Sequence, residues 1–289
     1  MSVGEMDPFE ENRSLLFGIA YRMLGSVADA EDVLQDAWLR WSAVDEPVDN
    51  PRAYLARTVT NLSINRLRSA SARREAYVGP WLPEPLLTDP DVSESVEQAE
   101  SISMAMLVVL ESLSPLERAV FVLKEVFGFS YAEIAKALDR SEAAVRQVGH
   151  RARSHVQARR PRFDASAETT ERVTEEFLRA CLGGDINRMM ELLAPDVTAW
   201  SDGGGKVRAA LRPLHGADTV ARWILGVLSY KYAPKVRPEK CWINGQPGAL
   251  LRTPDGKIDS AGVLDVVDGK ITAIRLVRNP DKLLGVARR

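Results

Sequence analysis

The stretch FSYAEIAKALDRSEAAVRQVGHRAR, Phe129–Arg153, decides how the rest of the chain is read. Ser130 followed three residues later by Glu133 is a capping box. The serine hydroxyl accepts from the first free N–H groups of a helix, and the glutamate reaches back to the serine N–H. The spacing predicts a short helix through Ile134, Ala135 and Leu138, a turn at Asp139–Arg140, and a second helix of roughly 18 residues capped by Ser141. At roughly 100° per residue, Val145, Val148 and Ala152 share one face of that second helix, while Ala143, Arg146, Gln147, His150 and Ser154 lie opposite. The first set packs inward and the second faces out. Short, polar and basic residues near a helix N-terminus suit a reader of the major groove: arginine pairs with guanine and glutamine with adenine, and Arg151, Arg153 and Arg159 are placed to hold phosphates. A plain two-helix hairpin with a basic solvent face has the same periodicity. Capping, spacing and charge together favour DNA binding.

Upstream, Asp29–Trp41 reads DAEDVLQDAWLRW. Ala30, Val33, Leu34, Ala37, Trp38 and Trp41 make a broad apolar face, and Asp29, Asp32 and Asp36 line another. Such an acidic stripe docks a basic partner helix or is simply solvated, and spacing alone favours the solvated reading. Asn50 then caps a helix opened by Pro51. It carries Arg52, Tyr54, Arg57, Asn61, Asn65, Arg66 and Arg68, a mixture that suits melting or single-stranded DNA, with Leu55, Val59, Leu62 and Leu67 as its core face. An ordinary amphipathic helix remains the alternative.

Composition sets the limits. The 289 residues are 45% hydrophobic and 27% charged with a formal net charge of −2, an ordinary globular mixture. Arg52–Glu75 nonetheless holds six arginines and one acid, and Arg140–Arg162 seven arginines and one acid, Glu142. Two basic segments in a near-neutral chain fit two contacts with a polyanion, or two solvated helix faces. The longest apolar run, Met104–Leu110, falls far short of the ~20 residues of a membrane span. The opening residues are acidic and polar, so no secretory signal is expected. Cys181 and Cys241 form no CxxC pair, which argues against a zinc site or disulfide framework and fits a reducing cytoplasm. No cofactor or metal is expected, and no membrane partner.

Three breaks divide the chain. Residues 7–75 and 101–160 read as mostly helical, within domains expected at 1–75 and 101–163. Residues 76–100 contain Pro80, Pro83, Pro85 and Pro90 and read as a linker, because proline at that density cannot continue a helix. From 164 to 289 glycines become frequent and strand-like alternation appears, as in Val263–Val267 and Ile271–Val277.

These pieces, in this order, resemble the sigma-70 superfamily of RNA polymerase sigma factors, extracytoplasmic-function type. Residues 1–75 resemble sigma domain 2. Within it the stretch Ala28–Trp41 looks like the segment that binds core polymerase on the β′ clamp helices, with Asp29, Asp32, Gln35 and Asp36 as contacts. Asn50–Ser69 looks like the segment that melts and recognises the −10 element, implying roles for Arg52, Tyr54, Arg57, Asn61, Asn65, Arg66 and Arg68. Residues 101–163 resemble sigma domain 4, which contacts the β flap and reads the −35 element, here through Ser141, Ala143, Arg146, Gln147, His150, Arg151 and Arg153. The chain departs from the family where Asn65 stands in place of a frequent aspartate, and at Gly149, which weakens a helix by ~1 kcal/mol relative to alanine.

Three further motifs narrow the resemblance. They are WLPEP (Trp81, Leu82, Pro83, Glu84, Pro85), DGGGK (Asp202, Gly203, Gly204, Gly205, Lys206) and NPDKL (Asn279, Pro280, Asp281, Lys282, Leu283). Together they resemble the subgroup with a SnoaL-like C-terminal extension, which stands in for a separate anti-sigma regulator. The resemblance implies a multi-domain fold: all-α sigma domains 2 and 4, with a helix-turn-helix, followed by an α+β cone-shaped SnoaL-like barrel. The expected elements of that domain are helices Thr170–Leu182, Ile186–Leu193 and Asp218–Leu228, a strand Val197–Ser201 and further strands. The glycines of 203–205 make a sharp turn and not a phosphate loop, since no helix follows with the required spacing.

The implied function is promoter-specific transcription initiation, regulated in cis by the C-terminal domain through the three motifs drawn together. The alternative is a helix-turn-helix regulator with a ligand-binding or enzymatic SnoaL-like domain. Catalysis is not expected; the residues it would have to use are His215, Asp202, Asp218 and Asp265. For ligand binding, the expectation is a small apolar ligand in the C-terminal domain.

Overall fold

The computed structural model describes residues 7–88, 102–159, 165–229 and 235–287. The remaining part of the expected linker, 89–100, lies outside the described residues.

The first half is helical: α1 Pro8–Glu11, α2 Arg13–Leu24, α3 Val27–Ser42 and α4 Pro51–Glu75, then α5 Met104–Glu111, α6 Pro115–Phe121, α7 Tyr131–Leu138 and α8 Glu142–Arg159. Starts follow the caps expected at Asn50, Ser130 and Ser141, with a further one at Ser26. Ser26 accepts from Asp29 N, Asn50 from Ala53 N at 2.9 Å, and Ser141 from Ala144 N at 3.3 Å. The capping box is present at Ser130/Glu133, and a second one, not anticipated, starts α6 at Ser114/Glu117. In both boxes the serine's hydrogen bonds hold the glutamate carboxyl below its usual range. Asp139 closes α7 in the left-handed conformation, which turns the chain into the recognition helix.

Leu16, Ile19 and Met23 of α2 pack with Ala30, Val33, Leu34 and Ala37 of α3 and Leu55, Val59 and Leu67 of α4, all buried. Trp38, read as part of this apolar face, is 44% exposed. Val145, Val148 and Ala152 are buried on the inner face of α8 as expected, and Val156 extends that face.

The helical segments on either side of the proline-rich break belong to one compact unit. Arg118 Nη1 donates to Met23 O at 2.7 Å and pairs with Glu111 at 2.9 Å, while Arg22 lies over the Phe127 ring. Asn61 Nδ2 donates to Ala137 O at 3.1 Å, and Arg52 stacks over Phe129.

The second unit gathers residues 76–88, Ser103–Ala105 and the C-terminal part. Its elements are β1 Leu87–Thr88, α9 Ala167–Gly183, α10 Ile186–Leu192, β2 Leu193–Asp202, β3 Leu214–His215, α11 Ala217–Leu228, β4 Arg237–Ile243, β5 Gln246–Arg252, β6 Ile258–Val267, β7 Lys270–Val277 and α12 Pro280–Ala287. The sheet order is β1-β4-β5-β6-β7-β2-β3, antiparallel except for β2 against β7. α9, α10 and α11 bury Val173, Phe177, Met189, Val220 and Ala221 against Val197, Leu264, Val266 and Ile274. This is the expected α+β domain, with helices packed against one mixed sheet. Two features depart from expectation: residues 280–287 form a helix, and 76–88, read as linker, lie docked as the edge of this sheet. Proline ends a helix but leaves an extended segment free to pair, and β1 pairs with β4 at Leu87–Ile243 and Thr88–Trp242.

Gly149 acquires a reason. A Cβ there would stand 3.0 Å from the Tyr131 ring, and that ring is held by Lys124 and Arg146 above its faces and by Arg153 at its hydroxyl. The helix forgoes propensity so that α7 and α8 can approach. Gly149→Val is therefore expected to lower stability by about 1–3 kcal/mol through overpacking, read as a lower denaturant midpoint at unchanged slope.

Candidate nucleic-acid interface and docking site

The recognition helix α8 presents Ser141, Ala143, Arg146, Gln147 and His150 to solvent, with Arg151 beside them. Arg146 pairs with Glu142 one turn back. Arg151 stands 3.8 Å from Glu117, while Arg153 is held by Glu125 at 2.6 Å and by Tyr131. Arg153 thus serves the packing of α8 in this structure, which its place in an arginine run does not reveal.

On α4, Arg57, Asn65 and Arg68 are exposed. The other members of the expected DNA-binding set are engaged within the unit. Tyr54 packs on Trp41 with ring centroids 5.8 Å apart, and Trp41 donates to Asp7. Arg52 and Asn61 meet the helix-turn-helix as described. Arg66 reaches Asp29 and Asp32, at 2.6 Å in each case. Its guanidinium pKa is shifted upward: burial pulls it down, but the two aspartates more than offset this. One residue read as DNA-binding is thus paired with two read as polymerase-binding. Gln35 and Asp36 remain exposed, and next to them Trp38 and Leu39 leave an apolar surface uncovered.

In the second unit the three motifs converge on one carboxylate. Asp202 is fully buried at 0% exposure. Its Oδ1 accepts from the Tyr77 hydroxyl at 2.5 Å and Gly204 N at 3.1 Å; its Oδ2 accepts from Leu82 N at 2.8 Å and Lys282 Nζ at 2.7 Å. Its backbone oxygen takes Arg278 N and Asn279 N. Lys282 also donates to Leu82 O at 2.5 Å and sits over the Trp81 and Tyr77 rings, 4.1 and 4.9 Å from their centroids. Asn279 Nδ2 donates to Tyr77, and Lys206 pairs with Asp281. Leu82, Pro83, Glu84, Pro85 and Leu86 are buried, and Leu86 exchanges hydrogen bonds with Asn244. Pro280 opens the helix that presents Asp281, Lys282 and the buried Leu283.

Gly204 and Gly205 take φ of 58° and 72°, and a Cβ on Gly204 would collide with the Asn279 amide at 2.3 Å. Gly203 is bound by space, its Cβ position lying 2.6 Å from Val207 O.

Tyr77 and Asn244 escaped the sequence reading. Neither belongs to a local pattern, and their partners lie more than 120 positions away. Burial, then the bond to Asp202, push the Tyr77 phenol well above its usual range, so it remains a donor.

The candidate catalytic groups do not assemble. His215 is exposed and bonds Thr198, Asp218 is exposed and pairs with Arg222, and Asp265 is buried against Arg275 at 2.6 Å. Burial pushes both thiols, Cys181 and Cys241, up to about 12. Among the described residues no group of three potential metal ligands occurs, and no helix is long and apolar enough to cross a membrane.

A helix-turn-helix with an exposed polar reading face, beside an arginine-rich helix, defines a DNA-binding transcription factor. Comparison with known proteins specifies which. Models for Sigma-70 region 2 and Sigma-70, region 4 match residues 8–73 and 103–156. The ECF RNA polymerase sigma factor SigJ of Mycobacterium tuberculosis is 40% identical over 97% of this chain and 94% of its own. A probable ECF RNA polymerase sigma factor from the same species, SigI, is 32% identical over 94% and 92%. The crystal structure of SigJ superposes with a TM-score of 0.76, at 34% identity, over 97% of this chain and 99% of that one. The chain belongs to the ECF RNA polymerase sigma factors. It is a transcription initiation factor that directs core RNA polymerase to promoter DNA, and not an enzyme.

Removing the Asp202 carboxylate strands the buried Lys282 ammonium, the Tyr77 hydroxyl and Leu82 N. Asp202→Ala is expected to destabilise the second unit by about 3–5 kcal/mol. Hydrogen exchange would then accelerate in residues 76–88 before it does in the recognition helix.

Proposed function

We propose that the C-terminal domain regulates this sigma factor in cis by holding the segment that connects its two DNA-reading parts. The carrying observation is the anchorage of Trp81–Pro85 on Asp202 and Lys282. Every path along the chain from α4 to α5 runs through residues 76–88, so separating those parts has to work against this anchorage or release it. Proline-rich segments lose little freedom on docking, so a modest set of contacts holds them.

In this reading α8 enters the major groove at the −35 element with Arg146, Gln147 and His150 on base edges and Ser141, Ala143, Arg151 and Arg153 around them. α4 serves the −10 element through Arg52, Tyr54, Arg57, Asn61, Asn65, Arg66 and Arg68. Asp29, Asp32, Gln35 and Asp36, with the exposed Trp38 and Leu39, form the docking surface for the β′ clamp helices, and the domain containing α8 meets the β flap. The protein works with polymerase in the cytoplasm.

The two elements are separated by about 25 base pairs, or about 85 Å of duplex at 3.4 Å per pair. Here Asn61 of the −10 set lies within hydrogen-bonding distance of α7 of the helix-turn-helix. We infer that this structure is a closed form. Promoter reading frees Asn61, Arg52 and Arg66 for DNA, and a ligand or partner that favours either form shifts the balance.

Run-off transcription with purified core polymerase tests the reading on the full chain. Lys282→Met removes the ammonium from Asp202 and Leu82 O while leaving every proposed DNA contact in place, and transcript yield is expected to rise severalfold. An unchanged yield, with residues 76–88 shown to be loosened by hydrogen exchange, counts against cis regulation. Gln147→Ala should cost about 1–3 kcal/mol of discrimination at one −35 position, measured by competition between matched and single-substituted duplexes.

A further inference from the structure

Arg146 stands on the reading face of α8 with its side chain 62% exposed, yet it is not free to turn. Its Nε donates to Glu142 Oε1 at 3.0 Å, and its Nη2 donates to the same oxygen. Its guanidinium lies over the Tyr131 ring, 5.1 Å from the centroid. Glutamate sets the direction of the fork, and the ring gives it a face to lie on. The Nη1 side has no hydrogen-bond partner among the described residues. The edge formed by Nη1 and the second Nη2 hydrogen is therefore held and open at once.

The ring is itself wedged in place. Glu142, Arg146, Gly149 and Arg153 follow one another at helical spacing along one stripe of α8, and Tyr131, the first residue of α7, stands against that stripe. Gly149 makes the room, since a Cβ there would lie 3.0 Å from the ring and 3.3 Å from Val120. Arg153 Nη2 donates to the Tyr131 hydroxyl at 3.3 Å. Lys124 Nζ lies 5.0 Å from the ring centroid while donating to Phe129 O at 3.3 Å. A ring pinned from several sides is a fixed floor for the guanidinium that rests on it.

We propose that Tyr131 is a positioning residue for base reading: its ring holds Arg146 with the Nη1 edge toward the groove, so that Arg146 selects guanine at one position of the −35 element while Tyr131 touches no base. The inference rests on the reading of Arg146 as a base contact. A bidentate pair with guanine needs two N–H groups side by side in one plane. A free fork swings to the acceptor of another base or to a phosphate, whereas a held one has to leave its ring to do so. A fork already ordered also loses less freedom on binding. Tyr131 therefore sharpens the choice of base and not only the strength of binding.

The test combines the full chain and core polymerase with a pool of duplexes randomised through a central stretch, and sequences the bound fraction for each variant. Arg146→Ala marks the position that Arg146 reads by the loss of guanine preference there. Tyr131→Leu is expected to lower that same preference about two- to fivefold and to leave the position marked by Gln147→Ala unchanged. Tyr131→Phe, which keeps the ring, should restore the preference, and Tyr131→Leu should add nothing to Arg146→Ala. Preference is a ratio within one preparation, so a smaller folded fraction cancels. If Tyr131→Leu does not fold, Tyr131→Met, of similar length and without a ring, takes its place. If Arg146→Ala alters no position, Arg146 reads no base, and the proposal falls together with that reading. If Arg146→Ala erases a guanine preference that Tyr131→Leu leaves intact, the reading stands and the proposal alone is overturned. An equal loss at the Gln147 position makes Tyr131 a support of the whole helix and overturns its role on Arg146. Loss of preference in Tyr131→Phe transfers the role to the hydroxyl and overturns it as well.

Discussion

A carboxylate with no exposed surface has to collect its compensation from the chain around it, and the second unit is organised by that requirement at Asp202. Its two oxygens accept four donors, drawn from the segment before the helix-turn-helix, from the adjoining glycine turn and from the end of the chain. Each donor ties one of these elements to the same carboxylate. The strap of residues 76–88 is held by Tyr77 and Leu82, the final helix by Lys282, and the glycine turn closes on the same side chain. Burying a charge is unfavourable unless every lone pair is met. The arrangement therefore comes apart or holds as a set, and this suits a contact that is to be released and not merely loosened.

The first unit is held together differently. Arg118, nearly inaccessible, fixes Met23 O and Glu111 in an interior that cannot easily give it up. The contacts that cover the reading residues are partly solvated. Arg66 with Asp29 and Asp32, and Arg52 over Phe129, lie at surfaces where an ion pair contributes about 0–1 kcal/mol. Phosphates or a polymerase helix can replace such partners at small cost. Under the proposed roles, residues that satisfy one another here and outside ligands when released would give the domain two states of comparable energy.

Much of the fold was legible in the sequence, because caps and periodicity are local. Ser130, Glu133 and Ser141 set the helix-turn-helix, Asn50 and Pro51 start α4, and Val145, Val148 and Ala152 mark the buried face of α8. Strand alternation in Val263–Val267 and Ile271–Val277 is equally local, and all of it appears in the structure. The motif order also carried the family, since segments in a fixed succession are specific where each alone is weak.

What the sequence could not decide were pairings across distance. Nothing near Tyr77 announces that its partner is Asp202, and nothing near Arg66 says that it meets two aspartates and not a phosphate. Trp38 sits at an apolar position of α3, yet packing leaves it outside. Gly149 reads as a defect in a helix until Tyr131 is seen against it. Pro80, Pro83 and Pro85 say correctly that no helix runs through 77–86, but whether the extended chain swings free or pairs with a sheet edge depends on Ile243 and Asn244. Local hydrogen bonding fixes the secondary elements; burial of charge and volume between segments far apart fixes which of them meet, and that is a property of the folded chain alone.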